Sequence, residues 1–320
     1  MHAIRFHRVG GPEVLALETV EAPPLRRGAV RLAVRAAGVN FADVHFRKGE
    51  YFTKPVFPQI PGLEAAGEVE AVGEGVTEFR PGDRVLAFAT DGAYAESLVT
   101  PASLVFRIPS ALSFEDAAAL PVQGLTALHV LTLCARMKRG ERLLVHAAAG
   151  GVGSLAVQLA KLQGASHVIG TASTEEKRAL VRELGADEAV DYHALQGVKV
   201  DVILEMLGGT DHYKRNLAGL APFGRMVVYG AASGDLHGTL EPVSLMAKNV
   251  SVIGYYLTAV LRDRAACEPA IAELCDHVVS GRLRILRGAT LPLARAGEAH
   301  TMLEARATTG KLVLTMEERG

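Results

Sequence analysis

The chain has 320 residues, 49% hydrophobic and 22% charged, with a formal net charge of -1. That length suits two domains, and the composition supplies ample apolar material for a core. Near-zero charge gives no sign of a nucleic-acid or anionic-membrane partner, and three cysteines outside any C-x-x-C pair argue against a disulfide scaffold.

The first residues hold no apolar core of signal-peptide length, so a reducing cytoplasm is the expected compartment. Residues 30–36, 65–72 and 84–88 read as strands, the last after the turn Pro81-Gly82-Asp83. Turn signals roughly ten residues apart mark this third as a β-rich, antiparallel or barrel-like domain. Near Ser113 the character changes, and residues 114–120 and 124–135 have helical spacing. The apolar stretch 117–135 is interrupted by Pro121, Gln123, Gly124, Thr126 and His129, so it reads as buried structure and not as a membrane span. Residues 142–147 form a short apolar strand, 151–163 a helix closed by Gly164, 167–171 a second strand and 174–184 a second helix stopped at Gly185. Further strands are expected over 200–204, 226–229 and 250–256. Strands alternating with helices of this length mean βαβ units and a parallel sheet. Residues 268–280 and 295–304 then read as helices and 311–315 as a last strand. No linker precedes these sixty residues, so they are expected to pack back on the first domain.

The strongest chemical signal is Leu143-Leu144-Val145-His146-Ala147-Ala148-Ala149-Gly150-Gly151-Val152-Gly153, where a strand meets a helix. A pyrophosphate there meets free backbone N–H groups and the positive end of the helix dipole. Against the G-x-G-x-x-G pattern, Ala148 stands in the first glycine place, while Gly150 and Gly153 hold the second and third. An NAD site usually carries an acid at the end of the second strand, about 20 residues on, for the ribose 2′-hydroxyl. Here that strand ends in Gly170-Thr171-Ala172-Ser173. Lys177, one turn into the next helix, offers an ammonium to a 2′-phosphate, and Ser173 a hydrogen bond. Glu175 and Glu176 read as first-turn acids favoured by the helix dipole. NADPH is therefore expected over NADH.

Several further stretches carry a family likeness: Gly38-Val39-Asn40-Phe41-Ala42-Asp43, Arg47-Lys48-Gly49-Glu50-Tyr51, Pro61-Gly62-Leu63-Glu64-Ala65-Ala66-Gly67, Pro81-Gly82-Asp83-Arg84-Val85, Gln123-Gly124-Leu125-Thr126-Ala127, Glu183-Leu184-Gly185-Ala186-Asp187 and Gly310-Lys311-Leu312-Val313-Leu314. Almost end to end, the chain resembles the zinc-free quinone oxidoreductases, relatives of zeta-crystallin, within the medium-chain dehydrogenase/reductase superfamily. The resemblance implies an α/β architecture. A GroES-like β-rich catalytic domain is formed by both chain ends (1–120 and 262–320), with a Rossmann doubly wound parallel-sheet domain (121–261) between them. It also implies a homodimer or tetramer, with 250–256 as the joining edge strand. The zinc alcohol dehydrogenases of the superfamily carry Gly-His-Glu where this chain has Gly62-Leu63-Glu64, and a ligating cysteine near the place of Asn40. No cysteine occurs here before Cys134, so no zinc is expected.

Without a metal, alcohol oxidation is poorly served. Reduction of a quinone or an activated C=C needs alignment of nicotinamide and acceptor, with a donor to the developing oxyanion. The resemblance places Tyr51, Asn40 and Thr126 against nicotinamide and substrate, Tyr51 first as oxyanion donor or proton source. It places Tyr192 beside the adenosine, Gly230 and Ala231 beside the nicotinamide ribose, and Gly310 and Lys311 near the cofactor. Three readings stay open: NADPH-dependent reduction of quinones or α,β-unsaturated carbonyls, an enoyl-thioester reductase, and an NADPH-binding protein with little turnover. RNA is not expected as a partner, since no aromatic-basic motif is present.

Overall fold

The computed structural model describes residues 1–89, 92–235 and 237–316, and the chain divides into two compact units, Met1–Gly124 with Leu261–Gly320, and Leu125–Val260. In chain order the first unit opens with β1 (His2–Arg5), β2 (Ala16–Thr19), β3 (Ala29–Val39), α1 (Phe41–Lys48), β4 (Glu64–Val72), β5 (Arg84–Phe88), β6 (Ser97–Pro101), β7 (Val105–Arg107) and α2 (Phe114–Ala118). Then follow α3 (Pro121–His129), β8 (Arg142–Val145), α4 (Gly151–Leu162), β9 (His167–Thr171), α5 (Glu175–Glu183), β10 (Glu188–Val190), β11 (Val200–Glu205), α6 (Thr210–Gly219), β12 (Leu220–Val228), β13 (Ser251–Gly254) and α7 (Leu257–Val260). The chain closes with α8 (Arg264–Val279), β14 (Arg287–Pro292), α9 (Ala296–Glu304) and β15 (Lys311–Thr315).

In the first unit seven strands make one sheet in the order β14-β15-β3-β4-β5-β7, with β6 also on β3, while β1 and β2 pair as a separate hairpin. Pairing of β15 antiparallel to β3, with Leu312 opposite Val39, splices the two chain ends together. Alternation along β3 buries Val30, Leu32 and Val34 against Val69, Val85, Ala87 and Leu98. On another side Val39, Leu312 and Leu314 pack with Leu291, Leu293, Ala296 and Ala299.

The second unit is a six-stranded sheet in the order β10-β9-β8-β11-β12-β13, every pair parallel. This is the doubly wound order, whose direction reverses between β8 and β11, and ligands of such sheets bind outside the carboxyl ends of the strands at that reversal. Leu144, Ile169, Ile203, Leu220 and Met226 are among its buried apolar side chains.

Several elements differ from the sequence expectation in extent. The helix at 124–135 starts at Pro121 and passes into a π-helical turn over Val130–Cys134. Gly164, at φ +85°, follows the Gln163 cap of α4, as a left-handed terminating glycine should. No helix among the described residues is long and apolar enough to cross a membrane.

Candidate functional site

Two clusters of functional side chains form, one in each unit. In the first unit β3 lies between β15 and β4, so the C-terminal end of β3 meets the first residues of both neighbours. Asn40 follows β3 and precedes α1, and Glu64 opens β4 while Lys311 opens β15. Lys311 Nζ donates to Asn40 Oδ1 at 2.6 Å and to Glu64 Oε1, and Asn40 Nδ2 donates to the same Glu64 oxygen at 2.7 Å. The second Glu64 oxygen accepts from the Val122 backbone N–H at 2.6 Å. Lys311 and Glu64 are buried, and Asn40 is 9% exposed. Lys311 and Glu64 are therefore a buried ion pair that fixes the Asn40 amide, using one of its two N–H donors and one carbonyl lone pair.

Asp43 sits below this group. Its carboxylate accepts from the Asn40 N–H at 2.7 Å and from the Tyr94 hydroxyl at 3.0 Å. Complete burial pushes its pKa up to about 7, against the opposing pull of those hydrogen bonds and of Lys311. The Tyr94 hydroxyl also meets His300 Nε2 at 3.3 Å, and Arg47 Nη1 lies 3.2 Å from the other ring nitrogen. Desolvation, helped by the Arg47 charge, holds His300 down to about 3, so its ring is neutral. Asp43 is thus a buried structural group. His45 pairs at 3.2 Å with Glu50.

Tyr51 lies in the loop after α1, half-buried, its ring edge-on to Phe52 at 5.4 Å, and Phe52 is 77% exposed. Thr126 is buried in α3 within the second unit. Zinc finds no donor set here: Leu63 has no ligating atom, Glu64 and Asn40 are held by Lys311, and among the described residues no group of three His, Cys, Asp or Glu side chains could hold a metal.

In the second unit the glycine-rich turn joins β8 to α4. Gly150 caps α4 with extended backbone, no side chain caps the helix, and no acid lies in its first turn. The N–H groups at Gly151, Val152 and Gly153 therefore stand in the position that suits an anion. A Cβ at Gly153 would lie 2.4 Å from Ala147 O and 2.8 Å from Ala148 Cα, so only glycine lets α4 approach the turn. Ala148 takes the first glycine place because room is made on the neighbouring strand. A Cβ at Gly170 would lie 2.8 Å from the Ala148 methyl. These residues and free donors fit a dinucleotide.

Ser173 is exposed at the tip of β9, and Thr174 Oγ1 accepts from the Lys177 N–H at 3.3 Å as the cap of α5. Glu175 turns to its own helix: hydrogen bonds from Arg178 and Arg182 hold its carboxyl below the ordinary range. Arg178, which the sequence reading passed over, donates to Ala172 O at 3.1 Å and so holds a guanidinium at the strand tip. Its signal was the Glu175, Arg178, Arg182 spacing along one helical face. Tyr192 stacks parallel to His146, with ring centroids 6.4 Å apart and 10° between planes.

Gly230 and Ala231 follow β12 and run beside the loop after β11. Ala232 N and Ser233 N donate to Met206 O and Leu207 O, both at 2.8 Å. Gly208 and Gly209 have φ of +80° and +90°, and a Cβ at Gly208 would lie 2.9 Å from the Ala231 methyl. A cavity of about 320 Å³ opens here, lined by residues 208–212, Ser233 and Asp235. Gly310, at φ +62°, turns the chain into β15 with no room for a Cβ beside Leu286 O.

One unit with a parallel sheet in the doubly wound order and a second, β-rich unit spliced from both chain ends together define a medium-chain dehydrogenase/reductase. Residues 26–110 match the alcohol dehydrogenase GroES-like domain and 151–275 the family described as zinc-binding dehydrogenase. The human quinone oxidoreductase is 34% identical over 99% of this chain and 98% of its own, and that of Pseudomonas aeruginosa 38% over 97% and 98%. The solved Escherichia coli quinone oxidoreductase, complexed with NADPH, superposes with a TM-score of 0.92 at 33% identity, covering 98% of this chain and 100% of that one. The chain belongs to the quinone oxidoreductase family of that superfamily.

Proposed function

We propose that this protein is an NADPH-dependent, zinc-independent reductase of quinones or α,β-unsaturated carbonyls. The observation that carries this reading is an uncapped, glycine-lined helix N-terminus whose second strand ends without an acid and beside Arg178 and Lys177. A relative that superposes over the whole chain is a quinone oxidoreductase complexed with NADPH, and this supports the reading.

When bound, the nicotinamide supplies the hydride. In this reading Ala148, Gly150, Gly151, Val152 and Gly153 hold the pyrophosphate, Ser173, Lys177 and Arg178 the 2′-phosphate, and Tyr192 the adenosine side. Gly230 and Ala231 pass close to the ribose. Asn40 keeps one amide N–H for the acceptor carbonyl, with its plane fixed by Glu64 and Lys311. Lys311 and Gly310 act through that clamp. The Tyr51 hydroxyl donates to the oxygen that gains charge, and Thr126 supplies a second hydroxyl. We assign the assembly to a homodimer joined through β13, which among the described residues pairs with β12 alone and so leaves one edge for a second copy. The cytoplasm is its proposed compartment.

The test is NADPH consumption with 1,4-benzoquinone, 9,10-phenanthrenequinone and an enone, repeated with NADH and with a chelator. Chelator-resistant turnover favouring NADPH is expected. Turnover confined to crotonyl-CoA would assign a thioester substrate, and tight NADPH binding with no turnover a binding protein. Tyr51→Phe is expected to lower kcat/KM by about 100-fold, in the range of a lost general acid. An unchanged kcat/KM on every acceptor would remove Tyr51 from the mechanism.

A further inference from the structure

Behind the glycine-rich turn lies a run of buried polar groups that the proposed chemistry does not use. Ala147, the residue that opens the turn, has φ +48° without being a glycine. A left-handed alanine costs of the order of 1 kcal/mol and persists only where its surroundings hold it. Thr171, the last residue of β9, holds it twice. Its side-chain Oγ1 accepts from the Ala147 N–H at 3.2 Å, and its backbone O accepts from the Ala148 N–H at 2.9 Å.

The run continues from that hydroxyl. Thr171 Oγ1 lies 3.2 Å from His146 Nδ1, and His146 Nε2 lies 2.9 Å from Asn216 Oδ1. Asn216 Nδ2 donates to Glu205 Oε2, and the other Glu205 oxygen accepts from the N–H groups of Leu207 and Gly208, the latter at 2.9 Å. His146, Thr171, Glu205 and Asn216 are all buried. With Glu205 ionised and the ring neutral, one proton arrangement satisfies every member. Glu205 already accepts from two backbone donors, so the amide must point its NH₂ at the carboxylate and its oxygen at the imidazole. The imidazole then carries its proton on Nε2, Nδ1 accepts from the Thr171 hydroxyl, and that hydroxyl is free to accept from Ala147. A charged ring would donate from Nδ1 as well and turn the Thr171 hydroxyl proton out of the chain, and burial holds the imidazole neutral, down to about 4. The run starts at the turn and ends at Leu207 and Gly208, on the loop that lines the 320 Å³ cavity.

We propose that Thr171, His146, Asn216 and Glu205 are positioning residues, a one-directional hydrogen-bond chain that fixes the dinucleotide turn through Ala147 and ties it to the loop after β11. The inference rests on the NADPH reading given above. Half-satisfied buried networks are worse than none, so breaking the chain at either end should loosen the turn.

The test compares NADPH affinity, by nicotinamide fluorescence, and quinone-reduction kinetics in wild type, Thr171→Val, Thr171→Ser and Asn216→Leu. Valine keeps the shape and strand preference of threonine and removes the hydroxyl. The expected result is a Kd and KM for NADPH raised about tenfold in Thr171→Val, near 1.4 kcal/mol, with kcat at saturation close to wild type. Thr171→Ser should restore both constants. Asn216→Leu, far along the chain from the turn, should raise Kd in the same direction. If Thr171→Val melts at a lower temperature but binds NADPH as wild type does, the chain is packing only and the inference fails. If wild type itself does not bind NADPH, the cofactor reading falls with it, and the two failures are told apart by that control.

Discussion

Glu64 lies at 0% exposure with Lys311, Asn40 and the Val122 N–H around its two oxygens. Removing one member of a buried ion pair leaves the other uncompensated, a loss of about 3–5 kcal/mol. Lys311→Met should therefore lower stability by that amount, read by chemical denaturation. Adding Glu64→Gln to Lys311→Met should recover most of it, because the charge left behind is then gone. A double variant no more stable than Lys311→Met would show that the lysine acts by packing alone. At the tip of β9 the balance concerns a ligand. Arg178→Ala should weaken 2′,5′-ADP binding about tenfold and leave NADH affinity unchanged, since a charge-assisted contact to phosphate is worth about 1.5–3 kcal/mol. Equal loss for both ligands would place Arg178 in the scaffold of α5. This residue was readable as a member of a helical charge row but not as a neighbour of the strand tip, because its bond to Ala172 O depends on how α5 leaves β9.

Elements were legible where their pattern is local. Four strands and helices around the glycine turn follow their apolar spacing closely, and the turn itself is a contiguous motif. β14 was not foreseen. Its sequence carries Gly288 and Pro292, and the register shifts at Gly288, where a Cβ would lie 2.3 Å from Thr309 O. β12 reads as a strand only from Met226, because Pro222, Phe223 at φ +63° and Gly224 break the first half, and the pairing with β11 shifts register there. The Asn40, Glu64 and Lys311 cluster was not foreseen for a different reason. Its members are 24 and 247 residues apart and meet only once β15 and β4 flank β3. The turn also supplies the prediction at this scale. Gly153→Ala places a methyl 2.4 Å from backbone that cannot yield, so α4 must shift away from β8. Overpacking of this kind costs about 1–3 kcal/mol. Because the shift moves the donors at Gly151 and Val152, NADPH affinity should fall by more than the stability does. Calorimetric binding at wild-type strength would contradict that geometry.

For the molecule as a whole the buried titratable groups set how stability depends on pH. His146 is held down to about 4 and His300 to about 3 by desolvation, whereas an exposed histidine titrates near 6.5. Between about 4 and 6.5 the unfolded chain therefore binds two protons that the native rings refuse, and stability falls as the pH drops through that window. Asp43 works in the opposite sense. Its native pKa is raised to about 7 from 3.8, so the folded chain holds a proton the unfolded chain releases, and acid favours the native state there. His212, lowered by desolvation, and Glu205, raised by it, oppose one another in the same way. Two histidines against one aspartate leave a net uptake of one proton on unfolding, about 1.4 kcal/mol per pH unit. The Asp43 and histidine contributions cancel near pH 7, so the full slope, a fall in Tm on the order of 3 °C per pH unit in a chain of this size, is reached below about pH 6. Thermal melts from pH 7 to pH 5 test it, and in Asp43→Asn the opposing proton is lost, so the decline should steepen. A wild-type Tm that is flat or rises toward pH 5 would mean that the rings of His146 and His300 accept protons in the folded state. The one-directional chain behind the glycine turn would then be reversible by acid.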